Sequence, residues 1–191
     1  MRAFALSSRK GNEMTDTRAS LPPMRLGEIV LKTARYEELK SWYSQVLDCT
    51  SPFEHVVTTP LSRPGAPTRM CFFRLLTEPP NQDVVALFEV PGTRKEPGGD
   101  PGLHHMQLRN ASITVLRERY RRLKHLGVAP RRAMDHGPST SLYYHDPDQN
   151  VVEIAASNFS TLEETLASLA CESYLRNPAG TVIDPDSFLN P

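Results

Sequence analysis

The chain has no surplus of charge: 22 lysines and arginines stand against 22 aspartates and glutamates. Without a basic surplus it lacks the electrostatic footprint of a nucleic-acid-binding protein, or of one held to an anionic membrane surface. It has no long apolar run. Stretches such as "VVALF" are strand-sized, far short of the roughly 20 residues that span a bilayer. Cysteine is scarce, with only Cys49, Cys71 and Cys171 in 191 residues. An odd count with no Cys-x-x-Cys pair argues against a disulfide framework and a zinc finger, and for free thiols in a reducing, cytoplasmic setting. The opening "MRAFALSSRKGNEMTDTRASLPPM" has no apolar core of secretory-signal length. Residues 1–23 are therefore expected to be a disordered tail.

What the chain does have is an internal repeat. "RLGEIVLKT" is a strand candidate, and "RYEELKSWYSQVL" carries apolar residues at the spacings of an amphipathic helix. "PFEHVVTT", "CFFRLL" and "DVVALFEV" follow as strands between Pro-rich loops. The pattern then restarts with strand "LHHMQLRN" and helix "SITVLRERYRRLKHLG", which ends on Gly127. Strands "SLYYH" and "VVEIAA" follow, joined by the turn formers of "DPDQN". A constant offset of 77 brings Ile29 onto Met106, Leu31 onto Leu108, Leu39 onto Leu116, Tyr43 onto Tyr120 and Val46 onto Leu123. A register held across a strand and a helix marks a duplication. The expected fold is α+β: two βαβββ modules, 24–92 and 102–157, make one open barrel over 24–157. A C-terminal helix and extended tail fill 158–191, packing on the barrel or on a partner subunit.

"GLHHMQL" sets two histidines side by side. Neighbours on a strand point to opposite faces, so one of them at most belongs to a given site. The offset matches Glu28 with His105, which leaves His104 turned away, either supporting the site from behind or in a structural role. Glu153 lies on the opposite strand face from Val152 and Ile154.

In this order and spacing, "LGEIVLKTARYEELKSWYSQVL", "ALFEVPG", "GLHHMQL" and "HGPSTSLYYHDPDQNVVEI" resemble the vicinal oxygen chelate superfamily. That group includes glyoxalase I, bleomycin-resistance proteins and type I extradiol dioxygenases. The resemblance implies a divalent metal held by Glu28, His105 and Glu153. Glu89 is the candidate fourth ligand, with neighbouring Leu87 as the alternative register. Extradiol enzymes carry a tyrosine ten residues before the ligand glutamate, matched here by Tyr143. They also carry a histidine upstream of it, matched more loosely by His136. These two are the candidate catalytic residues, and Tyr143 reads equally as a cross-strand packing aromatic. The first-strand ligand is Glu28 where extradiol enzymes have histidine. One imidazole and two carboxylates make a harder site, so Fe(II) is accompanied by Mn(II), Zn(II) and Ni(II) as candidate ions. A further acid–base histidine expected late in module one is missing from "ALFEV".

The leading expectation is an extradiol-dioxygenase-like metalloenzyme acting on a catechol-like or other vicinal-oxygen aromatic molecule, with a homodimer as its expected assembly. Two alternatives stand beside it. One is a glyoxalase-like isomerase or lyase that uses the metal as a Lewis acid with a carboxylate base. The other is a metal-free module that binds a small molecule, since a fold alone does not fix its function.

Overall fold

The computed structural model describes residues 26–49, 52–58, 65–76, 83–94 and 102–189. The expected tail over 1–23 lies outside the described residues. Strand β1 (Glu28–Thr33) runs into helix α1 (Tyr36–Val46), then β2 (Phe53–Val56), β3 (Arg69–Leu76) and β4 (Asp83–Glu89). The order repeats as β5 (Met106–Arg109), α2 (Ile113–His125), β6 (Arg132–Asp135), β7 (Ser139–His145) and β8 (Val151–Ser157). One sheet has the order β1-β4-β3-β2 and the other β5-β8-β7-β6, with a short β9 (Thr181–Val182) added outside β6. β1 pairs with β4, and β5 with β8, in parallel; the remaining pairs are antiparallel. A parallel pair needs a crossover, and in each module the helix lies on it. Among the described residues the two sheets share no strand pairing.

The helices form where the apolar spacing puts them. α1 buries Tyr36, Leu39, Tyr43 and Val46, and α2 buries Leu116, Tyr120 and Leu123. Leu39 and Leu116 are both fully buried at equivalent places, as the offset requires. The Ser112 hydroxyl caps α2 by accepting from the Val115 N–H at 3.3 Å. Gly127, at φ +79°, ends it in the left-handed conformation that favours glycine. The inward faces of both helices and the covered faces of both sheets join in one hydrophobic core.

Side chains also tie the modules together. The Tyr43 hydroxyl, 103 residues away in sequence, donates to Asp146 Oδ2 at 3.0 Å in the β7–β8 turn. Asp146 is 1% exposed and also accepts from the Asn150 backbone and side-chain N–H, each at 2.8 Å. Arg119 of α2 donates to the Val46 carbonyl that ends α1, at 2.9 Å. Tyr120, the mate of Tyr43, donates instead to exposed Asp186 in the C-terminal tail at 2.6 Å, where Lys124 also binds.

Three elements differ from the sequence expectation. β6, "RAMD", has two adjacent apolar residues between charged ends and so no alternation; only its pairing with β7 makes it a strand. The single C-terminal helix is two, α3 (Leu162–Leu169) and α4 (Glu172–Arg176), because Cys171 between them is extended. Thr161 and Glu164 do form the capping box at the start of α3. The Pro-rich tail contributes β9 to a sheet and a 3-10 turn at Ser187–Leu189.

The two tyrosines give a measurable contrast. Tyr43→Phe removes a donor from a buried carboxylate and should cost about 1–3 kcal/mol. Tyr120→Phe removes one from an exposed carboxylate that keeps Lys124, and should cost less than about 1 kcal/mol. Urea denaturation of both variants measures this; equal losses would mean that burial of Asp146 does not set the difference.

Candidate functional site

In the second sheet the register sorts the side chains by face. Met106, Leu142, Tyr144, Val152 and Ile154 belong to the core beneath α2. The intervening residues face the other way, and one row across the sheet reads Gln107, Glu153, Tyr143 and Arg132. The row beside it reads Arg109, Ala155, Ser141 and Met134. Chemistry collects on this open face.

Glu153 is its centre. Its residue exposure is 3%, and a charge so buried must find partners. Gln107 Nε2 donates to Oε1 at 2.9 Å, and the Ser141 hydroxyl donates to the same oxygen at 2.6 Å. Oε2 faces His105 Nε2 at 3.0 Å. Arg109 in turn donates to Gln107 Oε1 at 3.0 Å and orients that amide. Three strands therefore fix which way the carboxylate points.

His105 and His104 both precede β5, so strand alternation does not govern them. His104 does not turn away as expected. Its Nδ1 lies 2.7 Å from His105 Nδ1, with the rings edge-on. One of the two Nδ1 atoms donates and the other accepts, while His105 Nε2 faces Glu153.

Beside this pair is a second one. The Tyr143 hydroxyl lies 3.1 Å from His136 Nε2, and the Arg132 guanidinium sits 4.5 Å from the Tyr143 ring centre. Burial, with the Glu153 carboxylate nearby, raises the Tyr143 phenol above its ordinary range. The hydroxyl therefore stays protonated as a donor at neutral pH.

The residues present suit a metal ion. Two ligands at right angles, each about 2.1 Å from an octahedral ion, stand about 3 Å apart. The His105–Glu153 pair has that spacing, and the oxygen that faces the imidazole is the one that Gln107 and Ser141 leave unused. Nitrogen and carboxylate oxygen together suit Fe(II), Mn(II) or Zn(II).

Glu28 lies on exposed edge strand β1. With Ile29, Val85, Gln107, Leu108 and Arg109 it borders a cleft of about 720 Å³ between the modules. Among the described residues no three His, Cys, Asp or Glu side chains stand close enough to hold one ion, so Glu28 is not drawn into the His105–Glu153 pair. Glu89 lies elsewhere. It pairs with Thr33 on β1 and forms an ion pair with Arg69 at 2.9 Å beside α1. The counterpart of Glu153 in module one is Ala86, since Val30 pairs with Ala86 as Gln107 pairs with Glu153. The parts played by Gln107, Ser141 and Arg132 become visible only once the sheet register is known.

The whole row can be compared in this way. Val30, Ala86, Phe72 and Phe53 stand where module two has Gln107, Glu153, Tyr143 and Arg132. This row in module one is thus apolar at every step, while the rows beside it on the same face carry Glu28 and Arg74, and Lys32 and His55. Phe53 packs on Phe72, and Phe72 on Phe88, with ring centres 6.0 and 6.2 Å apart.

Paired βαβββ modules, each with its helix on the crossover between two parallel strands, are an architecture shared with a known superfamily. The chain belongs to the Glyoxalase/Bleomycin resistance protein/Dioxygenase superfamily, whose family model matches residues 25–154. It is 36% identical to Biphenyl-2,3-diol 1,2-dioxygenase 2 of Rhodococcus globerulus over 163 residues, covering 84% of this chain and 77% of that one. It is 33% identical to Biphenyl-2,3-diol 1,2-dioxygenase 3 of the same organism, covering 84% and 78%. Among solved structures, a glyoxylase/bleomycin resistance protein/dioxygenase domain from Frankia sp. EAN1pec shares the fold at TM-score 0.53 and 19% identity, over 74% of this chain and 96% of that one. The fosfomycin resistance protein FosX of Listeria monocytogenes, solved with Mn(II), shares it at TM-score 0.51 and 18% identity, over 76% and 99%.

Ser141→Ala tests the arrangement without touching a candidate ligand. It leaves the buried carboxylate with one neutral donor fewer, and should cost about 1–3 kcal/mol of stability. Chemical denaturation of the metal-free chain reads this, and an unchanged midpoint would show that Ser141 is not holding Glu153.

Proposed function

We propose that this protein is an extradiol-type dioxygenase acting on a hydrophobic aromatic molecule with two adjacent hydroxyls. One observation carries the reading: the His105–Glu153 pair and the Tyr143–His136 pair share one sheet face. The similarity to two biphenyl-2,3-diol dioxygenases over most of both chains supports it.

In this reading His105 and Glu153 would hold a divalent ion, Fe(II) first among the candidates, while Glu28, at the cleft between the modules, stays outside the pair. When bound, the ion supplies a Lewis acid for two neighbouring substrate oxygens and, as Fe(II), the redox partner for dioxygen. The chain's own residues do the rest. Gln107 and Ser141 hold Glu153 in one orientation, so the site is preorganised. The protonated Tyr143 hydroxyl donates a hydrogen bond to a substrate oxygen. His136, 3.1 Å away, passes a proton to or from that hydroxyl. The Arg132 guanidinium lies over the ring and keeps the phenol in place.

The apolar face of module one supports an aromatic substrate. Val30, Phe72 and Phe53 offer ring-sized apolar contact. Phe53 remains 58% exposed, which is costly unless something covers it. The isomerase reading asks for an inward carboxylate late in module one, and Ala86 occupies the matching position, leaving Glu28 as its base. The three free thiols suit a reducing compartment. Among the described residues no helix is long and apolar enough to cross a membrane. The exposed Leu162, Leu166 and Leu175 suit a homodimer.

Three experiments and a control test this function. Oxygen uptake with biphenyl-2,3-diol should require Fe(II); turnover without oxygen consumption would favour an isomerase. Glu153→Gln should abolish metal retention on dialysis, read by elemental analysis. Tyr143→Phe should keep the metal and lower turnover about a hundredfold or more, the usual scale for a positioned proton donor. Tyr144→Phe is the control. Its hydroxyl is buried without a hydrogen-bond partner among the described residues, so its loss should leave turnover unchanged and should not lower stability.

A further inference from the structure

We propose that the segment after β8 positions the His136 imidazole, through Asn158 and Gly180. The structural part stands on geometry alone, and only its effect on turnover rests on the acid–base reading of His136. Both residues lie beyond residue 154, where the family match ends.

His136 sits in the tight turn between β6 and β7, and its N–H donates to the Ser139 carbonyl at 2.9 Å. The four residues of β6 alone would hold that turn weakly. Two outside contacts hold it instead. On one side is Asn158. Its Nδ2 donates to the Gly137 carbonyl at 2.8 Å and to Asp135 Oδ1 at 3.1 Å. Its Oδ1 accepts from the Thr140 hydroxyl at 2.7 Å, and its backbone N–H donates to the Pro138 carbonyl at 3.0 Å. One residue thus bonds to four neighbours of His136.

On the other side is the tail. Thr181 and Val182 pair with Asp135 and Met134, and the Ile183 N–H donates to the Ala133 carbonyl at 3.0 Å. Just before them Gly180 has φ +77° and closes a turn with Asn177. A Cβ at position 180 would stand 2.7 Å from His136 Cα and 2.9 Å from the Asp135 carbonyl carbon, and would overlap the Asp135 oxygen. Both the conformation and the space therefore require glycine, at the residue that carries the imidazole. The tail is anchored past this point as well. Ile183 and Phe188 pack against the core, Tyr120 binds Asp186, and Arg117 donates to the Phe188 carbonyl at 3.0 Å. It cannot swing aside to admit a side chain without losing those anchors.

The 3.1 Å reach from His136 Nε2 to the Tyr143 hydroxyl is then set partly by residues that never meet the site. Tyr143 is fixed from β7, in mid-sheet, whereas His136 is fixed from a turn. Moving the turn moves one partner and not the other.

The test uses the full chain with Gly180→Ala and, separately, Asn158→Ala, which keeps the glycine. Imidazole NMR signals of the metal-free protein are recorded, with His136→Gln identifying the His136 signal among the six histidines. Turnover of biphenyl-2,3-diol by the Fe(II)-loaded enzyme is measured with and without His136→Gln. The His136 signal should move in both variants while those of His104 and His105 stay. Turnover should fall about tenfold or more, the scale of a sub-ångström misplacement. In the His136→Gln background neither substitution should add a further loss, which a general weakening of the fold would not achieve. A His136 signal that stays in place in both variants overturns the proposal, as does an equal further loss in the His136→Gln background. A signal that moves with turnover intact upholds the positioning and overturns the acid–base role of His136.

Discussion

A carboxylate buried on an open sheet face costs free energy, and the second module is arranged around meeting that cost. Glu153 has no arginine or lysine against it among the described residues. Its partners are a glutamine amide, a serine hydroxyl and an imidazole, from β5, β7 and the residues before β5. Each bond is available in one strand register only. A slip by one residue on any of the three would leave a charged group unpaired in the interior, at several kcal/mol. The same interaction therefore specifies the sheet and aims an oxygen at His105. Fold and site are here one constraint.

The two modules show what such a constraint leaves free. Their backbones match strand for strand, yet the central rows of the open faces differ at every position, one polar and networked, the other apolar and aromatic. Tyrosine against phenylalanine at positions 143 and 72 is the smallest of these differences, a single hydroxyl. The core beneath has changed far less, because close packing penalises a change of volume and an open face does not.

Much of this was legible in the sequence. The offset of 77 carried the duplication, since helix spacing and strand alternation both leave periodic marks. Glu153 and its flanking Val152 and Ile154 could be assigned to faces for the same reason. The rest failed where no period exists. β6 is held by its neighbours and not by its own pattern. His104 and His105 lie just before a strand, where alternation has not begun. Glu89 does not fall at the counterpart of Glu153 because the sequence separation of the paired strands differs between the modules: Val30 to Ala86 spans 56 residues and Gln107 to Glu153 spans 46. A motif carried across by likeness of ending, "LFEV" beside "VVEI", ignores that difference; pairing registers do not. Gly180 reads in sequence as an ordinary turn residue, and its demand on space is a tertiary fact.

The bond from Tyr43 to Asp146 has a bearing on how the chain is made. Synthesis runs from the N-terminus at about 5–20 residues per second, and domains fold as they emerge. The hydroxyl of Tyr43 leaves the ribosome 103 residues ahead of its acceptor. For several seconds the first module has been made and the carboxylate that its innermost tyrosine needs has not. The half that emerges first is completed by the half that emerges last.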